Sequence, residues 1–403
     1  MSEKSRENRI LFICWLVYAA AYVGRLNYSA SIVAVINDLG VTKAEAGLVS
    51  SFFFFAYGVG QLVNGILTRK YNSRIMVFLS LIVSSLINLI MPLSGDITLM
   101  KYIWLINGAV QSVLWCTLIK TISENVSEEN MPKAVFVMST PTAAGTFIVY
   151  GMSALFVKFF TWKITFYTAS FVLFISAMVW FTVYGKSKRP AVAGSDDVDI
   201  AVSEKIRITG PMLIVVITIA VAGIANGFIK DGINTWVPNV LYEEFGVSES
   251  LSIFLTLFLP LIAMAGAGIV KKIHEKIKSL SMLDLIFYIL SAVMCGAVLL
   301  ALRLKAVVFI MAAFIAVACL MAMVNNVITS IFALENRKHL NSGFSAGLLN
   351  TFCYVGSTIT SYSLGAVSQA RGWNSAFLIM VAVSAVAAVS SALGSYFERK
   401  LKI

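Results

Sequence analysis

Charge is what this chain has least of. Only 13% of its 403 residues are Asp, Glu, Lys or Arg, about half the share of a soluble globular domain, and that excludes a water-soluble fold. Acidic residues are the scarcer sign, 20 against 31 basic ones, for a formal net charge of +11. Histidine is nearly missing. His274 and His339 are the two present, both read as loop residues, so neither a metal site nor an intramembrane histidine relay is expected. The five cysteines, Cys14, Cys116, Cys295, Cys319 and Cys353, show no CxxC or metal-ligand spacing and read as small buried hydrophobes. The sequence has no GxxxxGK[ST] loop to cradle nucleotide phosphates and no soluble segment long enough for a catalytic domain. It offers no nucleophile with an acid–base partner. An ATP-driven pump and an enzyme are therefore not expected, and no cofactor is implied.

What the chain has instead is hydrophobic length. It is 59% hydrophobic with mean hydropathy +0.86, arranged in uninterrupted apolar runs rather than the alternation of a membrane barrel. We read an all-α integral membrane protein with twelve transmembrane helices at 10–38, 45–67, 74–95, 98–122, 132–158, 163–184, 209–242, 250–270, 280–303, 305–330, 343–369 and 373–397. The first run is too long for a signal peptide and is expected to be a retained helix. The long polar stretch 185–208 separates an N-terminal six-helix bundle (1–184) from a C-terminal one (209–403), two pseudo-symmetric halves. Of the 31 Lys and Arg residues, 22 fall on the side of the termini and this linker, 7 on the other, and two within helices. The bias puts both termini in the cytoplasm of a cell whose plasma membrane the chain spans. The basic residues sit in short loops, with no stripe interleaved with aromatics, so nucleic acid is not a partner. The lipid bilayer is, and the unit is expected to work as a monomer.

The two basic residues inside helices are Arg25 and Lys230. The apolar run holding Arg25 begins near Ile10, which places the charge about 22 Å along a helix rising roughly 1.5 Å per residue, near the centre of a hydrocarbon core about 30 Å thick. A cation there costs roughly 2.5–3.5 kcal/mol even on the lenient insertion scale, so it must face protein, water or an anion. Lys230 holds the matching place in the second half. After Arg25 the chain runs 15 residues to Gly40-Val41-Thr42, and after Lys230 it runs 16 to Gly246-Val247-Ser248. Parallel six-helix repeats fit a transporter whose site lies at the midplane between halves.

Helical spacing gathers further polar groups on these faces. Tyr18, Tyr22 and Arg25 share one stripe, and Asn226, Lys230 and Asn234 another. Asn350 and Tyr354 lie on one face of helix 11, Tyr57 and Gln61 on helix 2, Asn107 and Gln111 on helix 4, and Thr142 on helix 5, which Pro141 and Gly145 can bend. Helices 3, 6 and 9 are nearly apolar and read as lipid-facing. A lone polar residue in a membrane helix is ordinarily interhelical glue worth about 0.6 kcal/mol. The charged pair stands out against that background. Asp231 reads as the one acidic residue at membrane depth. It is open whether it neutralises Arg25 or Lys230, carries a coupling proton, or is structural.

These motifs resemble the major facilitator superfamily over essentially the whole chain, and within it the organophosphate:phosphate antiporter family. YAAAYVGRLNYS from Tyr18 is similar to that family's tyrosine-rich stretch ending in its phosphate-binding arginine, matching Tyr18, Tyr22 and Arg25. Tyr57 in AYGVGQLVNGIL matches a binding tyrosine, and KDGINTWVP places Lys230 where the family has a second arginine. Tyr354 before Val355-Gly356, followed by Gly372-Trp373, also matches. Departures are Lys230 itself, Gln61 in place of a lysine, Thr142 in place of a histidine, and Arg69 where the superfamily's loop usually has an aspartate. SSFFFFAYGVGQLVNG also resembles the anion:cation symporters, which move sugar acids with protons, although Gly24 stands where they carry an acidic residue. The resemblance implies a secondary transporter of a small organic anion, a sugar or glycerol phosphate exchanged for inorganic phosphate. The alternative is proton-coupled symport of a carboxylate. The implied binding set is Arg25, Lys230, Tyr18, Tyr22, Tyr57, Gln61, Gln111, Thr142, Asn226, Asn350 and Tyr354, with Asp231 as the coupling or ion-pair residue. A membrane sensor of sugar phosphates is the remaining class.

Overall fold

A computed structural model describes residues 3–68, 72–187, 210–332 and 342–401. Everything regular among them is helical. The first half contains α1 (Glu3–Ala30, continued by Ile32–Leu39), α2 (Lys43–Leu67), α3 (Ser73–Ile90), α4 (Ile97–Asn125), α5 (Met131–Met138 and Pro141–Phe159) and α6 (Trp162–Ser187). The second contains α7 (Gly210–Phe245), α8 (Glu249–Thr256 and Phe258–Lys276), α9 (Leu280–Leu304) and α10 (Val307–Asn326, ending in a π-helical turn at Val327–Ile331). A last helical stretch, Ser342–Leu401, breaks at Gly372, where φ is 75° and ψ is 168°. That break divides it into α11 (342–371) and α12 (373–401). Among the described residues ten stretches are long and apolar enough to cross a bilayer. The split at Gly372 makes eleven, and α8, whose shorter apolar part is Glu249–Met264, is the twelfth.

The expected spans are all present, with helix ends displaced by local chemistry. In α5 the helix is interrupted before Pro141, the first residue of its second piece, because proline has no N–H to continue the ladder and fits the first helical position. α6 runs on to Ser187, so the expected linker loses its first residues to a helix. The remainder of the linker lies outside the described residues, as do the topology-bearing Arg69, Lys70, Arg337 and Lys338 and the loop residue His339. His274 falls in the last turn of α8 rather than in a loop.

The repeat is written into turn geometry. Gly40 and Gly246 take left-handed φ values of 62° and 63°, the conformation that closes a helix and that glycine adopts without a Cβ penalty. Each is followed by a capped helix start. Thr42 accepts from the Glu45 backbone N–H in a capping box, and Ser248 accepts from Leu251. The turns after α3 and α9 repeat as well, with Gly95 at φ 59° and Lys305 at φ 51°.

The lipid-facing reading of α3, α6 and α9 needs correction. Each does expose an apolar face, such as Leu79, Leu86 and Leu89 on α3 and Ile289, Leu290 and Val293 on α9. Each also buries polar groups toward its bundle: Ser84, Ser85 and Asn88 on α3, Thr165, Ser170 and Ser176 on α6, Ser281, Asp284 and Ser291 on α9. Asp231 is therefore not alone, since Asp284 is 1% exposed within a membrane span.

The two halves touch at the end opposite the termini. Lys43 Nζ reaches Glu243 at 2.8 Å, and Trp373 Nε1 donates to the same carboxylate at 2.7 Å. Asn37 Nδ2 donates to Glu249 at 2.5 Å. Deeper contacts follow α2 along α11, where Ser51 Oγ donates to the Thr358 carbonyl at 2.7 Å. Within the second half α7 and α11 pack backbone to backbone. A Cβ added at Gly356 would land on the Ile224 carbonyl and within 2.7 Å of the Phe228 nitrogen. Backbone cannot step aside, so Gly356→Val is expected to destabilise by at least the roughly 1–3 kcal/mol of ordinary overpacking. Thermal unfolding of the purified variant checks this, and an unchanged midpoint contradicts the close α7–α11 approach.

Candidate functional site

α1 carries Arg25 into the interior, where it is 4% exposed. Its guanidinium lies between two aromatic faces, 4.1 Å from the Tyr22 ring centroid and 4.6 Å from that of Tyr57, with Phe53 at 6.0 Å. The Tyr57 hydroxyl accepts a long hydrogen bond from Nη2 at 3.4 Å, and Nε has no partner. Among the described residues no carboxylate pairs with Arg25. Cation–π contacts return about 0.5–2 kcal/mol each, comparable with the cost of burying the charge. They stabilise the cation without consuming its hydrogen-bond donors, of which Nη2 reaches Tyr57 and Nε is unpartnered.

Lys230 is in a different state. Its Nζ is 3.8 Å from Asp231 Oδ1. Adjacent residues on a helix point about 100° apart, and the long lysine stem bridges that angle. Asp231 is fixed from the other side, because Ser357 Oγ on α11 donates to its Oδ2 at 2.5 Å. Asp231 thus lies beside Lys230, and among the described residues no carboxylate pairs with Arg25. Ser357 was not among the residues picked from the sequence. A lone serine on a membrane helix has no feature that separates a clamp from glue.

The aromatic wall spans both halves. Tyr57, 1% exposed, stacks on Phe53 at 5.8 Å and meets Tyr354 of α11 at 4.7 Å. One turn along the same two helices, Asn350 Nδ2 donates to Gln61 Oε1 at 3.4 Å, while Gln61 Nε2 has no partner. Tyr18 stands behind this wall, its ring 5.3 Å from Tyr22 and 4.7 Å from Trp115. Thr142 of α5 is half-buried beside Tyr22. Gly145, one turn on, lets α5 approach Ala19 and the Tyr22 Cβ.

Two expected wall residues face helices instead. Gln111 is fully buried and donates through Nε2 to Ser84 Oγ at 2.9 Å and to the Gly24 carbonyl at 3.3 Å. Asn88 and Asn107 donate to that same carbonyl at 3.1 Å and 3.0 Å, and Asn27 donates to Asn88 Oδ1 at 2.6 Å. Three amides from α3 and α4 thus grip the α1 backbone one residue before Arg25. Asn226, also fully buried, donates to the Met321 carbonyl of α10 at 2.7 Å. In this conformation both residues position helices.

The architecture and the buried cations can now be set beside known proteins. The family model described as Major Facilitator Superfamily matches residues 14–359. The chain belongs to the Major Facilitator Superfamily. Its fold is similar to that of a bacterial homolog of the human lysosomal transporter Spinster, solved in an inward-facing and occupied conformation. The TM-score is 0.78 at 15% identity, over 97% of each chain. In sequence it is similar to a probable hexose phosphate transport protein of Chlamydia trachomatis, 25% identical over 155 residues, which cover 38% of this chain and 34% of that protein. It is also similar to the hexuronate transporter of Bacillus subtilis, 24% identical over 276 residues, 67% of this chain and 65% of that one. The matches thus span about a third of the first relative and just under two thirds of the second.

Within that family fold, Arg25 stands on α1 and Lys230 on α7. One departure, Gly24, has a physical reason. At Gly24 a Cβ would strike the Leu173 side chain of α6. The acidic side chain that the symporter resemblance places there has no room unless Leu173 moves.

Proposed function

We propose that this transporter carries a small organic anion, a sugar or glycerol phosphate, in exchange for inorganic phosphate across the plasma membrane. The observation that carries the reading is Arg25: a buried guanidinium at membrane depth, held between aromatic rings and without a carboxylate partner among the described residues. A charge kept at that cost is there for a mobile anion. Tyr22, Tyr57, Tyr354 and Gln61 supply hydroxyl and amide groups around it. The anion's second charge competes with Asp231 for Lys230. A phosphate ester carries about −1.5 to −2 near neutral pH, enough to engage both cations.

The halves close through Lys43, Glu243 and Trp373 at one end. With the termini cytoplasmic, as the positive-inside bias implies, that end is extracellular and the conformation faces inward. Transport then proceeds by rocking of the halves about the Arg25 site. A second reading rests on Asp231. With that carboxylate on Lys230 the site has a formal charge of only +1, which suits proton-coupled uptake of a monocarboxylate such as a hexuronate.

Thermal stability of the purified protein with added glucose 6-phosphate or glucuronate separates the two. A ligand bound only by the folded state stabilises by RT ln(1 + [L]/Kd), about 2.7 kcal/mol at a hundred times Kd. The exchanger reading expects the phosphate ester to raise the midpoint and Arg25→Ala to abolish the shift. A shift with glucuronate alone supports the symporter, and no shift with either overturns the anion site.

A further inference from the structure

A polar cluster lies apart from the transport site, where α7, α9 and α12 meet. Asp284 stands on α9 four residues after its start at Leu280, is 1% exposed, and its Oδ1 has no hydrogen-bond partner. Glu398 of α12 is 5% exposed, but its oxygens are engaged. Ser279 Oγ donates to it at 2.5 Å, Ser281 Oγ at 2.6 Å and the Ser281 backbone N–H at 3.2 Å. Those bonds satisfy donors at the start of α9, where the helix dipole favours an ionised carboxylate. Among the described residues neither Asp284 nor Glu398 has an ion-pair partner.

The helix register shows what faces Asp284. Ser291 Oγ of α9 and Ser384 Oγ of α12 are 3.4 Å apart. Two turns back along α9 and two turns forward along the antiparallel α12 bring Asp284 opposite Ser391. The Ser391 hydroxyl is also buried, with the residue 2% exposed, and also has no partner. The same register continues to Gly394, whose Cβ position lies within 2.7 Å of Ser281 Oγ and 2.6 Å of Thr218 Oγ1 on α7.

Among the described residues the surrounding elements place no ion-pair partner on Asp284, and Lys278, one residue before Ser279, is exposed. α7 offers Thr218, which donates to the Val215 carbonyl at 2.9 Å, and its Lys230 lies three turns away, about 18 Å. On α9 itself Tyr288 donates to the Ala222 carbonyl. α10 has no charged residue and one titratable group, Cys319, and α11 offers Cys353. Arg399 and Lys400 on α12 are exposed.

We propose that Asp284 is a proton-binding site of the C-terminal bundle, neutral in this conformation, in the same cluster as the ionised Glu398. Two carboxylates in one dry cluster without a cation cannot both be ionised cheaply. Glu398 has three donors that favour its charge. Asp284 has none, and as a neutral acid it avoids the cost of a buried, unpaired charge. The neutral acid sits where α9 and α12 pack beside α7, the helix that carries Lys230.

The sign of the linkage follows. The unfolded chain releases this proton above roughly pH 4 and the folded protein keeps it, so folding takes up a proton. Stability then falls as pH rises, until the folded protein also lets the proton go. The test is thermal unfolding of the purified full-length protein and of Asp284→Asn between pH 5 and pH 9, at fixed sodium and without substrate. The wild-type folding constant is expected to fall relative to the variant's by up to about tenfold per pH unit, with the variant melting higher at alkaline pH. An infrared band of a neutral carboxyl at pH 7, lost in Asp284→Asn, is the independent readout. A difference that does not change with pH, or a wild type lacking that band, overturns the proposal. So does a difference that follows sodium at fixed pH, which would make the site one for a metal cation. No substrate enters the experiment, so its outcome is independent of the transport reading.

Discussion

Replacing Arg25 by lysine is expected to reduce uptake about a hundredfold or more, nearly as far as Arg25→Ala. A charge count alone predicts that lysine rescues. The geometry predicts that it does not. The guanidinium is a flat group whose carbon lies over the Tyr22 and Tyr57 rings, 4.1 Å and 4.6 Å from their centroids, and it carries a fork of donors. An ammonium presents neither the plane nor the fork. Charge-assisted hydrogen bonds contribute roughly 1.5–3 kcal/mol each, so losing two from the bound anion corresponds to about 10²–10⁴-fold in affinity. The folded protein should not suffer. Arg25 lacks a carboxylate partner among the described residues, so its removal leaves no orphaned charge and relieves the cost of burying one. Initial uptake rates normalised to protein in the vesicle, together with an unfolding midpoint, check both halves of this prediction. An Arg25→Lys variant retaining a third of wild-type uptake contradicts this requirement for a guanidinium.

Asp231→Asn is expected to act in the opposite direction on a phosphate ester. Lys230 and Asp231 are 3.8 Å apart with side chains 33% and 14% exposed. At an effective dielectric near 20 two charges at that distance interact by roughly 4 kcal/mol, a figure to be discounted for solvent screening. Freeing Lys230 from its neighbour then tightens binding of a doubly charged anion by about tenfold, or about 1.4 kcal/mol. The carboxamide still accepts from Ser357, so α7 and α11 stay tied. Under the symporter reading the same change removes the titrating group, and uptake driven by a pH gradient is lost. Binding of glucose 6-phosphate by calorimetry decides between them: tighter binding with exchange preserved fits the first reading, and weaker binding with loss of pH drive fits the second.

Much of the fold was legible because membrane helices obey few rules. Long apolar runs must be helical when no water can satisfy the backbone, and the repeated Gly-Val-Thr and Gly-Val-Ser segments marked turns that do close with left-handed glycines at Gly40 and Gly246. Arg25 and Lys230 were legible because a cation at membrane depth breaks the composition around it. Partners were not legible. Periodicity places Gln111 and Asn226 on polar faces but does not say that their amides are spent on the Gly24 and Met321 carbonyls. Asp284 escaped notice because it lies one turn from a helix start, where sequence alone reads an acid as interfacial, although the bundle buries it. Asn88 was masked by the apolar average of its helix, and Ser357 by the ordinariness of a serine.

The central claim is that Arg25 and Lys230 form the anion site of an exchanger. It is tested most directly by counterflow in proteoliposomes loaded with inorganic phosphate, following labelled glucose 6-phosphate without an imposed pH gradient. The account predicts transient accumulation with the wild type, none in phosphate-free vesicles, and none with Arg25→Ala. Accumulation that persists in Arg25→Ala, or wild-type uptake that ignores internal phosphate and instead follows a pH gradient, would contradict it.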